Sequence, residues 1–145
     1  MRTIMVATDG SDGACRAVDI AAEIAKAMNG TLSILTVGRV LSVQEQEQVR
    51  KFSRIEGESA HPGEALAQRV LDDAKDRARR VGIDAPKVSI VWGDPAQAII
   101  EAIQRDNADA VVVGRRGHGP LTSLLLGSVS QKLVSLAPCV VIVAP

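Results

Sequence analysis

Glycines at 114, 117 and 127, arginines at 115 and 116 and serines at 128 and 130 lie between the apolar run Ala110 to Val113 and the start of a helical pattern. These residue types suit a phosphate cradle. Glycine lets the backbone approach an anion closely and take positive φ, so that successive amides converge on oxygen atoms. Ser128 and Ser130 would add hydroxyl donors at a helix start, where unpaired amides and the positive dipole end favour negative charge. Arg115 and Arg116 would add cationic charge, and His118 lies in the same loop. Each residue also has a plainer use: glycines serve tight turns, and Ser128-x-x-Gln131 has the spacing of a capping box. It is their conjunction behind an apolar run that points to a site. A second polar turn, Thr8-Asp9-Gly10-Ser11, follows the apolar run Ile4 to Ala7. Asp9 could accept hydrogen bonds from a ligand's hydroxyl or amine, although an Asp after a strand also serves ordinary turns; Ser11 or Asp12 can cap the helix that follows.

For these two turns to meet, the chain must hold them on neighbouring strands. Ile4 to Ala7, Thr31 to Val37, Lys87 to Val91, Ala110 to Val113 and Cys139 to Val143 are short apolar or β-branched runs that read as buried parallel strands. Helical stripes alternate with them. Ala14, Ala17, Val18, Ala21, Ala22, Ala25 and Met28 share one face before Asn29-Gly30; Leu66, Val70, Ala74, Ala78 and Val81 form another stripe after Pro62. Asp94-Pro95-Ala96-Gln97 has the order of cap, first helical residue and reach-back side chain, with Ile99, Ile100 and Ile103 facing inward. A last helix from about Ser128 carries Leu133, Val134 and Leu136 and stops at Pro138. The alternation predicts an α/β domain, an open parallel sheet with right-handed crossovers, over residues 1–145 without internal division. In such sheets the ligand crevice lies beyond the carboxyl ends of strands where the strand order reverses. Val40 to Glu58 is polar and charged, fits either an exposed helix or an excursion, and carries no functional assignment. Lys75, Arg77, Arg79 and Arg80 crowd the end of their helix, where they favour the dipole more readily than they form a binding patch.

Bulk properties narrow the partners. Seventeen Lys and Arg balance seventeen Asp and Glu, and the 145 residues include one Trp, one Phe and no Tyr, so neither a basic field nor stacking platforms for nucleic acid are present. No run approaches the ~20 apolar residues of a membrane-spanning helix, and the first residues lack a signal h-region. Cys15 and Cys139 lack metal-ligand spacing and suit reduced thiols in a cytoplasmic protein, Cys139 in the core.

The glycine pattern is neither a Walker loop, since no Gly-Lys-Ser/Thr follows, nor the dinucleotide fingerprint, which belongs after the first strand. Gly114-x2-Gly117-x9-Gly127-Ser128 resembles the ATP-binding motif of the universal stress protein family. The resemblance extends to Met5 to Ser11, to Gly93-Asp94-Pro95-Ala96, to Leu126 to Ser130 and to Ala137 to Val140, covering nearly everything outside Val40 to Pro62. It implies a five-stranded Rossmann-like sheet of order 3-2-1-4-5 with helices on both faces and ATP, with Mg²⁺ on its phosphates, across the first and fourth strands. By matched position Ala7, Thr8 and Asp9 would line the adenine and ribose, with Val37 covering the base. Gly114, Arg115, Gly117, Gly127, Ser128, Val129 and Ser130 would surround ribose and phosphates, with Arg116 beside them. The family's last strand commonly pairs in a homodimer, which Val140 to Val143 would suit, unless loops bury that edge. The implied function is nucleotide-dependent regulation of a stress response through an unidentified protein partner. A slow ATPase or autophosphorylating protein is the alternative, although the motif shows no group placed to orient a nucleophile, so no catalytic residue is assigned. A ligand-free dimeric module is the remaining possibility. Clustered acids of a response regulator and the aromatics of a flavodoxin are missing.

Overall fold

A computed structural model describes residues 2–39, 42–52, 62–115 and 126–145. The elements run β1 (Thr3–Ala7), α1 (Asp12–Ala27), β2 (Thr31–Gly38), α2 (Val43–Phe52), α3 (Pro62–Val81), β3 (Lys87–Trp92), α4 (Pro95–Asp106), β4 (Ala110–Gly114), α5 (Ser128–Leu136) and β5 (Val140–Ala144). The strands form one sheet of order β3-β2-β1-β4-β5, the order expected, with every pairing parallel. The order reverses at β1, which pairs with β2 on one side and β4 on the other, Ile4 opposite Ala110 and Val6 opposite Val112. β5 starts one residue later than the sequence pattern suggests, leaving Cys139 outside it.

Successive side chains of a strand point to opposite faces, so each apolar run serves two cores. Ile4, Val6, Leu32, Ile34, Ala110 and Val112 pack under α1 and α3. Met5, Leu35, Val111 and Val113 pack under α4 and α5 through Ile99, Ile103 and Leu133. The alanine face of α1 lets the helix lie close on the sheet: Ala14, Ala17, Val18, Ala21, Ala22 and Ala25 are buried, whereas Met28, past the last turn, is exposed. In α3 the buried face is Ala67, Leu71, Ala74 and Ala78, rotated from the predicted stripe so that Leu66 and Val70 sit on its flank. On α5 only Leu133 of the predicted trio is buried; Val134 and Leu136 face outward.

The basic residues of α3 are paired locally. Arg77 makes two hydrogen bonds to Asp19 of α1, while Lys75 and Arg79 pair with Asp72 and Asp76 one turn back. Part of the polar stretch after β2 is helix α2, whose Ser42 and Glu45 exchange hydrogen bonds as a capping box. No helix among the described residues is long and apolar enough to cross a membrane.

Candidate functional site

At the carboxyl end of β1 the chain turns sharply. The Thr8 amide donates to Leu35 O at 2.9 Å, prolonging the pairing with β2 by one residue and keeping Thr8 buried. Gly10 N donates to Thr8 Oγ1 at 3.2 Å and Ser11 N to Asp9 Oδ1 at 2.9 Å, an Asx-type turn. Gly10 has φ +81°, a left-handed conformation that a side chain disfavours. Ser11, not Asp12, caps α1 by accepting from Ala14 N at 3.3 Å. Asp9 therefore has a turn role and remains exposed to solvent.

At the end of β4 glycine has a use inside the fold beside the one anticipated. A Cβ on Gly114 would lie 2.8 Å from Gly13 C and 2.9 Å from Ala14 N, so the residue is small because the first turn of α1 presses against it. That contact joins the two turns: the helix following β1 rests on the end of β4. Gly13 escaped the sequence reading, although a glycine in the first turn of an otherwise alanine-rich helix was a signal for close approach.

Beyond Gly114, Arg115 N donates to Ala144 O of β5 and Arg115 O accepts from Gly127 N, both at 2.8 Å. Ser130 Oγ lies 2.7 Å from Gly114 O and 3.1 Å from Arg115 O. Gly127 is the N-cap of α5 at φ −72°, and no side chain among the described residues caps the helix. The capping-box alternative for Ser128 and Gln131 is not built: Ser128 is the first helical residue, exposed, and Gln131 N bonds Gly127 O. By contrast α1 and α4 are each capped by a side chain, Ser11 and Asp94. In α4 the reciprocal bond of the expected box is absent, because Gln97 Nε2 donates to Glu101 instead.

Arg115 Nε is fully buried and has no hydrogen-bond partner among the described residues. An unsatisfied buried donor costs about 1–3 kcal/mol, more when charged. This atom and the uncapped first turn of α5 both favour an anion at the end of β4. The residues present thus fit a phosphate-bearing ligand by charge and by donor type.

The structure brings Ala7, Thr8, Asp9, Gly114, Arg115, Gly127, Ser128, Val129 and Ser130 to the carboxyl ends of two adjacent strands and the helix starts beside them. Val37, near the end of β2, packs partly into the core beneath α4 and α5. Arg116, Gly117 and His118 lie outside the described residues. Cys139 and Cys15 are both partly buried, Cys139 against the same core and Cys15 beside Gly10, whose carbonyl accepts from its thiol at 3.8 Å.

The universal stress protein family model matches residues 1–145. The chain belongs to that family. Among its relatives, a universal stress protein of Thermus aquaticus is 38% identical, covering 97% of this chain and 96% of its own. Universal stress protein YxiE of Bacillus subtilis is 31% identical with the same coverage of each. A universal stress protein solved in complex with cAMP is 31% identical, aligns with TM-score 0.74 and covers 99% of this chain and 97% of its own. UspA from Lactobacillus plantarum, at 24% identity and TM-score 0.76 over 99% of this chain and 97% of its own, shares the fold. Universal stress proteins of known structure therefore share the parallel-sheet fold found here.

Proposed function

We propose that this universal stress protein binds an adenine nucleotide across the carboxyl ends of β1 and β4, ATP being the form its motif suits, and regulates a partner through occupancy rather than through turnover. The observation that carries the reading is the juxtaposition at the reversal of strand order. The Thr8 to Ser11 turn stands beside a helix start whose amides no side chain caps among the described residues, and beside an arginine whose buried Nε has no partner among them. The turn offers acceptors for ribose and base; the helix start offers donors for phosphate. Mg²⁺ would arrive on the phosphates.

A cyclic nucleotide is the second reading, favoured by the relative solved with cAMP. One phosphate in a ring would need fewer donors than a triphosphate. Equilibrium titration with ATP, ADP, AMP and cAMP separates the two: affinity rising with phosphate number supports ATP, and preference for cAMP over AMP supports the cyclic ligand. Gly127→Val, which places a branched side chain at the cap of α5, is expected to weaken any of them by about tenfold or more, a loss of ~1.4 kcal/mol. Absence of binding by the unaltered protein at millimolar nucleotide would sink both readings and leave a ligand-free module. We further propose that β5 pairs with its copy in a homodimer, because it is an edge strand whose Val140 is 61% exposed.

A further inference from the structure

We propose that Ser130 is a positioning residue of the nucleotide site, its hydroxyl held by the chain and not offered to the ligand. The inference rests on the nucleotide reading above. By its place in the motif Ser130 would be a further phosphate donor, yet it is only 4% exposed and its Oγ sits between Gly114 O and Arg115 O at 2.7 and 3.1 Å. A serine has one proton to give, and the shorter distance assigns it to Gly114 O.

The consequence lies in what that bond joins. The Arg115 peptide is tied to β5 through its N–H and to the cap of α5 through its oxygen, which accepts from Gly127 N. Ser130 adds a tie from inside the first turn of α5 to the last residue of β4. These bonds fix the height and rotation of the turn whose amides, at Ser128 and Val129, face an incoming anion. Ser128 is the hydroxyl left for the ligand: it is exposed, and it makes no hydrogen bond among the described residues. Ser130 thus acts on the nucleotide through α5, and Ser128 acts directly.

The test uses the full chain and its Ser130→Ala, Ser130→Thr and Ser128→Ala variants, with amide exchange at Gly127 followed by NMR without ligand and ATP affinity measured alongside. Losing one hydrogen bond should speed exchange at Gly127 roughly two- to tenfold and lower affinity by a similar factor in Ser130→Ala. Ser130→Thr, which keeps the hydroxyl, should restore both. Ser128→Ala should lower affinity and leave ligand-free exchange unchanged. If Ser130→Ala fails to fold, Ser130→Cys, of similar shape with a weak donor, is expected to move both readouts in the same direction. Weakened affinity in the Ser130 variants with unchanged exchange at Gly127 would make Ser130 a direct ligand and overturn the proposal, as would unaltered affinity. An unaltered protein that takes up no adenine nucleotide would remove the role together with the nucleotide reading, and the ligand-free exchange rates would tell that failure from failure of the clamp.

Discussion

Gly114 and Ser130 show how one residue type can satisfy two different demands. By the family resemblance both would line a phosphate site, and both have a use inside the fold: Gly114 yields to the backbone of α1, and Ser130 holds the end of β4. Cys139 gives a prediction at this scale. Burial, reinforced by the nearby Asp109 charge and opposed by a hydrogen bond from the Val111 backbone, raises its thiol pKa above the usual value. The reactive thiolate is correspondingly scarce near neutral pH. Iodoacetamide should therefore label Cys139 of the folded protein several-fold more slowly at pH 8 than the same residue in urea, with the gap closing as pH rises. Peptide mass spectrometry over time checks this, and equal rates in the two states at pH 8 would refute it.

At the level of elements, the crevice depends on how closely α1 approaches β4. The alanine face of α1 and the pairing of Gly13 with Gly114 set that distance. Gly114→Ala would force a methyl group into backbone atoms 2.8–3.1 Å away. Overpacking of this kind typically costs about 1–3 kcal/mol. The expected outcome is a lower urea midpoint with unchanged slope, accompanied by weaker nucleotide binding because the two turns are pushed apart. Unchanged stability would mean that α1 shifts freely and does not set the crevice.

For the whole molecule, the edge of the sheet matters most. β5 is an edge strand, and on α5 Val134 and Leu136 are also exposed, at 54% and 65%. An apolar edge of this kind invites pairing with a second copy about a twofold axis. Val140→Lys is expected to convert the proposed dimer to monomer in sedimentation while leaving the ends of β1 and β4 intact. If the unaltered protein already sediments as a monomer, the homodimer reading fails.

The sequence by itself determined the order and type of the strands and their crossover helices, because apolar runs, alanine stripes and Gly or Pro stops are local signals. It also carried the family pattern, from which the sheet order follows. It did not determine the rotation of α3, where Leu66 and Ala67 are adjacent apolar residues and only packing under the sheet chooses the smaller Ala67. Nor did it determine whether Gly127 or Ser128 is the N-cap of α5, since a capping box and an uncapped start share the same letters. The division of labour between Ser128 and Ser130 was likewise decided by tertiary structure. Which hydroxyl is occupied depends on carbonyls 15 and 16 residues away, brought into reach only when β4, α5 and β5 assemble.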